Sequence, residues 1–130
     1  MNDFLIVVDM QKDFIDGALP AFHAKEILPA VIDEIRKRDA YHVLFTLDTH
    51  QNDYLETQEG KHLPIKHCIK GNPGYELYPS IEKEVRNSLK IEKPTFASLI
   101  LIDVLKKRIK SKDFSWTLQR YLCPCQCHSD

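Results

Sequence analysis

The sequence predicts an α/β fold in which a doubly wound (Rossmann-like) parallel sheet is covered by helices on both faces. Two apolar runs, FLIVVD at residues 4–9 and HVLFTLD at residues 42–48, lack the polar alternation of a half-exposed strand. Such runs are typical of parallel strands that are buried on both faces. A segment with helical spacing separates them, and strand–helix–strand order is the βαβ unit of this fold. The 130 residues suffice for one domain of this kind.

The helix between the two strands is predicted to begin near Ala24. Its apolar residues recur at intervals of three and four, as a helix with one buried face requires. They are Ile27, Leu28, Val31, Ile32 and Ile35. Proline lacks an N–H group and is tolerated in a helix only near its start, so we expect Pro29 to lie in the region of the first turn.

The second half of the chain predicts one long loop, two helices and one strand. Residues 49–75 show no periodicity, and a loop of this length inside a compact domain usually has a function. YPSIEKEVRNS, residues 78–88, predicts a short helix with Ser80 as its N-cap. LKIEKP, residues 89–94, predicts a third strand ending at Lys93, and residues 96–110 predict a helix whose last turn is cationic.

Charge and hydropathy exclude several classes of function. The net charge is −1 and no basic stripe is present, which argues against nucleic-acid binding. No apolar run approaches the roughly 20 residues of a membrane span. The N-terminal apolar run is also too short for a secretory signal. We therefore expect a cytoplasmic protein with neither a nucleic-acid nor a membrane partner.

Each predicted strand ends in an ionisable residue, namely Asp9, Asp48 or Lys93. The carboxyl ends of parallel strands form the ligand-binding edge of an open α/β sheet. A single charged strand terminus is usually just solvated. Three ionisable strand termini at the same edge of the sheet predict a ligand-binding site.

The long loop contains residues that suit a metal ion. Asp48 and His50 are two residues apart, so in an extended segment their side chains point the same way. His67 lies further along the loop, and either Glu59 or Glu56 lies between them. Two imidazoles with one or two carboxylates suit a divalent Zn, Fe or Mn ion with open positions for water or substrate.

Three stretches together resemble the isochorismatase-like cysteine hydrolases, in their nicotinamidase branch. They are VVDMQKDFIDGAL, TLDTHQNDYLETQEGKHLPIKHCIKGNPGYEL and IEKPTFAS, and they occur in the family's order and spacing. The resemblance implies the isochorismatase-like hydrolase fold and an amidase that converts nicotinamide to nicotinate and ammonia. It also implies a small-molecule amide as substrate, and it leaves open whether copies of the chain form a homo-oligomer.

The resemblance further implies roles for individual residues. Asp9 corresponds to the catalytic base and Lys93 to the lysine beside the nucleophile. Asp48, His50 and His67 correspond to metal ligands, with Glu59 as the simplest choice for the intervening ligand and Glu56 as the second. Such a hydrolase attacks the amide with a cysteine thiolate, which a nearby carboxylate must generate by taking the thiol proton.

The family's nucleophile segment, G-x-C-[TS]-D-x-C-V, is missing from its expected place. The chain has instead a tail with Cys123, Cys125, Cys127 and His128. Reading the codons one base further from Trp116 permits G-L-C-S-D-I-C-V-L-A-N-A-T-L, which contains that motif. This indicates a frameshift near residues 111–115, in the gene or in its reading. We expect an incomplete hydrolase domain at residues 1–112, without its C-terminal strands, followed by an aberrant tail at residues 113–130.

Three other interpretations of the sequence stay open. The C-x-C-x-C-H tail could bind a metal, although it lacks the two-residue gaps of structural zinc sites. The whole chain could also be a non-catalytic metal-binding or interaction protein, or a family hydrolase of another small amide. Without an identified nucleophile, we expect little or no activity from the chain itself.

Overall fold

A computed structural model describes residues 4–93, 99–108 and 119–120 of the chain. The strands are β1 (Leu5–Val8), β2 (Val43–Asp48), β3 (Leu89–Lys93) and β4 (Gln119–Arg120). The helices are α1 (Lys12–Ile15), α2 (Ala24–Arg36), α3 (Gln58–His62), α4 (Pro79–Glu82) and α5 (Leu99–Arg108). None of the helices in this part of the chain combines the length and apolar character needed to cross a membrane.

The strands form one parallel sheet in the order β3-β2-β1-β4. The predicted α/β class is confirmed, and the three predicted strands are present, with β1 ending at Val8, one residue before the predicted Asp9. The sheet also includes the two-residue strand β4 beside β1. This strand comes from the predicted tail, residues 113–130, most of which lies outside the described residues.

The core has one layer on each face of the sheet. Alternate residues of β1 point to opposite faces, so both faces must be covered. Leu5 and Val7 pack with α2 in the larger layer. Ile6 and Val8 pack with Leu44 and with half-buried side chains of α5 in the smaller one. This two-sided burial explains why the strand runs contain no alternating polar residues.

Two details of the predicted helices differ from the structure. Helix α2 begins at Ala24, so Pro29 lies in its second turn rather than near its first. The missing N–H leaves the carbonyl of exposed Lys25 without its usual helical donor, on the solvent side where water can replace it. Helix α4 begins with Tyr78 as N-cap and Pro79 in the first helical position, so Ser80 is inside the helix. Proline is well suited to that first position because its N–H would be unpaired there anyway.

The predicted loop, residues 49–75, is more ordered than its pattern suggests. It contains the five-residue helix α3 and two 3₁₀ turns at Tyr54–Glu56 and Pro73–Tyr75. Thr57 caps α3 by accepting a hydrogen bond from the N–H of Gly60. The end of the loop returns to the sheet through a bridge between His50 and Ile69. These contacts hold the loop against the carboxyl edge of the sheet.

Candidate active site

Asp9 and Lys93 form a buried ion pair at the carboxyl edge of the sheet. Asp9 follows β1 with a φ of 54°, a left-handed conformation that turns the chain away from the strand direction. Its Oδ2 lies 2.9 Å from Lys93 Nζ, and its Oδ1 accepts a hydrogen bond of 3.0 Å from Thr46. Both charged side chains are almost completely buried. A buried carboxylate needs such partners because desolvation otherwise disfavours its charge.

Asp48, His50 and His67 form a compact cluster next to this pair. One ligand atom from each residue lies within 4.8 Å of the others, and all three residues are buried. Asp48 Oδ2 lies 3.1 Å from His50 Nε2 and 3.4 Å from His67 Nε2. Burial opposes ionisation of Asp48, but hydrogen bonds from the two imidazoles outweigh it and lower the pKa of the carboxyl to about 2.

The donor set of this cluster fits a divalent transition metal ion. His67 donates from Nδ1 to the carbonyl of Ile65 at 2.8 Å, which leaves Nε2 directed at Asp48. A hydrogen bond of this kind fixes the tautomer of a metal-binding histidine. Two imidazole nitrogens and one carboxylate oxygen suit Zn, Fe or Mn and leave positions open for further ligands.

Burial and hydrogen bonding affect the protonation of His67 in opposite directions. Burial opposes its protonation, but the hydrogen bonds to Asp48 and to the Ile65 carbonyl raise the pKa of its imidazole overall. A metal ion binds the unprotonated imidazole, so metal ions and protons compete for this residue.

Of the two glutamates considered for the loop, Glu59 lies at the cluster. Its Oε2 is 3.6 Å from His50 Nδ1, whereas Glu56 is exposed. Nδ1 is the ring nitrogen of His50 that faces away from Asp48. In this arrangement Glu59 orients His50 rather than joining the three close ligand atoms, so its assignment as a fourth ligand stays a prediction.

The register of the sheet joins the ion pair to the cluster. Asp48 and Lys93 are partners across β2 and β3, so their side chains are on the same face of the sheet. Thr46, two residues before Asp48, is on that face too and contacts Asp9. The predicted residues Asp9, Lys93, Asp48, His50 and His67 are therefore gathered at one edge of the sheet, on the face covered by α5.

Aromatic side chains that the sequence reasoning missed surround the two histidines. The ring centroid of Tyr54 lies 4.6 Å from that of His50 and 5.1 Å from that of His67. The ring of Phe14 lies 5.4 Å from His67 on another side. Burial, together with the charges of Glu59 and Asp48, raises the pKa of Tyr54 to about 12, so this ring stays neutral. These rings limit access of water to the imidazoles.

The structure describes one cysteine, Cys68, next to His67 in the chain. Its side chain is fully buried and packs with Phe14 in a small apolar cluster. The cysteines of the tail, Cys123, Cys125 and Cys127, lie outside the described residues. The predicted absence of the nucleophile segment therefore stays a prediction.

Comparisons with known proteins agree with this architecture. A model of the isochorismatase domain matches residues 3–116, which is most of the chain. The fold is similar to a pyrazinamidase of Pyrococcus horikoshii in complex with zinc, with a TM-score of 0.65 and 25% identity over 94% of this chain and 72% of that one. No curated protein matches the sequence at a significant level.

Two further solved structures are similar at comparable levels. A nicotinamidase from Bacillus subtilis has a TM-score of 0.64 and 27% identity over 92% of this chain and 71% of that one. An N-carbamoylsarcosine amidase from Thermoplasma acidophilum has a TM-score of 0.64 and 25% identity, over 92% and 68%. The match to the domain model, together with these amidase neighbours, shows that the chain belongs to the isochorismatase family of hydrolases.

Proposed function

We propose that this chain is derived from a metal-dependent cysteine amidohydrolase that converts nicotinamide to nicotinate and ammonia. The main support is the position of the buried Asp9–Lys93 pair directly beside the Asp48, His50 and His67 cluster. A base can deprotonate a cysteine thiol and a cation can stabilise the thiolate, and a neighbouring metal-binding set could orient an amide substrate for its attack. The similarity to a nicotinamidase and a pyrazinamidase supports this class of substrate.

The two charged residues have complementary tasks in this chemistry. The Asp9 carboxylate accepts the proton of the nucleophilic thiol, and the Lys93 ammonium stabilises the thiolate that results. The thiolate attacks the amide carbonyl, and the leaving nitrogen takes the proton from Asp9 and departs as ammonia. Water then hydrolyses the thioester, which releases the acid and restores the thiol. A metal ion at Asp48, His50 and His67 would act as a Lewis acid that orients the substrate and water.

The tail, residues 113–130, occupies the place where the family's nucleophile segment is expected. We interpret residues 1–112 as an incomplete hydrolase domain and residues 113–130 as the product of a frameshift. On this interpretation the family's nucleophilic cysteine is encoded in the shifted frame, and the 130-residue chain has little or no activity.

A second candidate substrate is another small amide. The similarity to an N-carbamoylsarcosine amidase favours it, because that enzyme shares the fold at an identity close to that of the nicotinamidase. If the tail is instead the natural sequence, we propose a metal-binding or interaction protein without catalysis. In each case we propose a cytoplasmic location and a small molecule as the main partner.

The experiment combines sequencing of the gene with a comparison of two chains. Ammonia release is measured for the 130-residue chain and for a chain whose reading frame is restored, with nicotinamide, pyrazinamide and N-carbamoylsarcosine as substrates. We expect release from nicotinamide only with the restored chain, and loss of that activity in its Asp9→Asn variant. Asp16→Asn, which changes an exposed aspartate in the same region, is the matched control.

Three results would contradict the proposal. Ammonia release from nicotinamide by the 130-residue chain would refute its inactivity. A preference of the restored chain for N-carbamoylsarcosine would transfer the assignment to the second candidate. A nucleotide sequence whose shifted reading frame does not encode the G-x-C-[TS]-D-x-C-V motif would refute the frameshift.

A further inference from the structure

The ligands of the proposed metal site come from two separate parts of the chain. Other contacts must therefore fix the position of one part relative to the other. Asp48 ends strand β2, whereas His67 lies near the far end of the loop that follows it. Their side chains meet at 3.4 Å, between Asp48 Oδ2 and His67 Nε2. The short segment Gln11–Lys12–Asp13, which follows β1, contacts the backbone at or next to both ligands.

The side chain of Gln11 forms two hydrogen bonds with the backbone of Asp48. Its Nε2 donates to the Asp48 carbonyl at 2.9 Å, and its Oε1 accepts from the Asp48 N–H at 2.9 Å. The same Nε2 donates to the carbonyl of Tyr75 at 2.7 Å. The side chain is completely buried, so these three bonds replace its bonds to water. A primary amide is the side-chain group that can donate twice and accept once at such a place.

Asp13 holds the other ligand segment. Its Oδ2 accepts a hydrogen bond of 2.8 Å from the N–H of Cys68, the residue that follows His67. Cys68 has a φ of 50°, a conformation that a non-glycine residue adopts only when its surroundings hold it there. A carboxylate that accepts this N–H stabilises the turn, and the turn directs His67 towards Asp48.

The contact between Asp13 and the end of the loop is close. A Cβ atom at Gly74 would lie 2.2 Å from Asp13 Oδ1, so the carboxylate occupies the space that any side chain at this position would need. Asp13 Oδ1 also accepts from the N–H of Ala18 at 3.1 Å, which fixes the orientation of the carboxylate. Asp13 therefore lies between the segment of His67 and the segment of Tyr75, the residue whose carbonyl binds Gln11.

We propose that Gln11 and Asp13 are positioning residues that together set the distance between Asp48 and His67, and with it the affinity and geometry of the metal site. The inference rests on the proposed function, because it concerns the same metal ligands. Residues that orient the metal ligands affect the metal affinity of the site and the absorption spectrum of the bound ion, although they do not contact the ion. Lys12, between them, points instead to Glu76 in a partly exposed ion pair, and it supplies a matched control.

The test is Co²⁺ binding to the 130-residue chain, measured by the visible absorption of the bound ion and by competition with a chelator. We expect Gln11→Glu, which replaces a double donor by an acceptor, to weaken Co²⁺ affinity by about tenfold to a hundredfold and to shift the absorption bands. Asp13→Asn should have the same direction of effect, whereas Lys12→Gln should stay within about twofold of the unsubstituted chain.

A fourth variant separates positioning from simple loss of stability. Val31→Ala truncates a fully buried side chain of α2, on the face of the sheet opposite the site. It should lower the thermal midpoint while leaving Co²⁺ affinity and spectrum unchanged. If Gln11→Glu and Asp13→Asn behave like Val31→Ala, the inference is refuted. If Gln11→Glu does not fold, the result for Asp13→Asn decides by the same criterion.

The outcome also separates this inference from the proposed function. An unsubstituted chain that binds no Co²⁺ would refute the metal site, and the positioning roles with it. A chain that binds Co²⁺ with the same affinity and spectrum in all variants would refute only the positioning roles.

Discussion

Lys93 Nζ lies 2.9 Å from Asp9 Oδ2 inside the protein, although the two residues are 84 positions apart in the chain. The pair joins the end of β3 to the end of β1, with the intervening strand β2 contributing Thr46 as a further donor to Asp9. Removing one partner of a buried ion pair lowers the stability of the fold strongly, because the partner that remains is a desolvated charge. We therefore expect the pair to stabilise the fold in addition to its proposed role in catalysis.

The first prediction concerns this cost. Lys93→Met should reduce the free energy of unfolding by about 3–5 kcal/mol, since it leaves the Asp9 carboxylate buried without its cation. Asp9→Asn combined with Lys93→Met should cost less than the sum of the single changes, because the remaining groups are neutral. Denaturant unfolding of the four chains gives the coupling as a double-mutant cycle.

An exposed lysine in the same strand provides the control. Lys90 pairs with Glu82 at the surface, and Lys90→Met should change the free energy of unfolding by no more than about 0.5 kcal/mol. Additive effects of the Asp9 and Lys93 substitutions would show that the two side chains do not interact in the folded protein.

The second prediction concerns the metal ligands. His50→Ala removes an imidazole whose Nε2 lies 3.1 Å from Asp48 Oδ2, and the chain should then lose bound Zn²⁺ during dialysis against a weak chelator. His62→Ala, which changes an exposed histidine of α3, should leave the metal content unchanged. Elemental analysis of the dialysed proteins measures both. Equal metal content in the two variants would mean that the ion binds elsewhere.

Strands β1 and β2 could be predicted because a strand that is buried on both faces appears in the sequence as an apolar run without polar alternation. The structure ends β2 at the predicted Asp48, and it ends β1 at Val8, one residue before the predicted Asp9. The grouping of ionisable residues followed from the general rule for parallel strands. The assignment of particular roles came from resemblance, since spacing alone left Glu56 and Glu59 equivalent.

The interior of the site could not be predicted, because its contacts join residues that are distant in the chain. Helix α3 has five residues, too few to show a helical period. Gln11 looks like a polar residue of a turn, and its burial becomes evident only when Asp48 and Tyr75 are placed around it. The same holds for Tyr54, whose contact with two histidines depends on the fold of the loop.

The third prediction concerns alkaline pH. Burial and the hydrogen bond that Tyr75 donates to Glu92 raise the pKa of Tyr75 from 10.0 to about 12 in the folded protein. The unfolded chain therefore loses this proton first as the pH rises, and the stability that the shift supplies is present below pH 10 and lost towards pH 12. Tyr75→Phe should weaken the fall in unfolding free energy over this window.

Absorbance of tyrosinate gives an independent check of the same shift. In a titration of the folded protein, Tyr75→Phe should reduce the amplitude of the absorbance change near pH 12. The part of this change that is due to Tyr54, which also has a pKa of about 12, should persist. If the amplitude lost in Tyr75→Phe lies near pH 10 instead, this side chain ionises at its ordinary pH.

The last prediction concerns Gly60, which lies in α3 directly after Glu59. A Cβ atom at this position would lie 1.9 Å from the carbonyl oxygen of Tyr54, a backbone atom that can move only with the loop. Gly60→Ala should therefore cost about 3 kcal/mol by overpacking and should displace Glu59 from His50. Gly71 has a φ of 96° and open space around it, so Gly71→Ala should cost only the backbone strain of about 1–2 kcal/mol. Thermal or denaturant unfolding ranks the two variants, and a smaller loss for Gly60→Ala than for Gly71→Ala would show that α3 does not pack against Tyr54 as described.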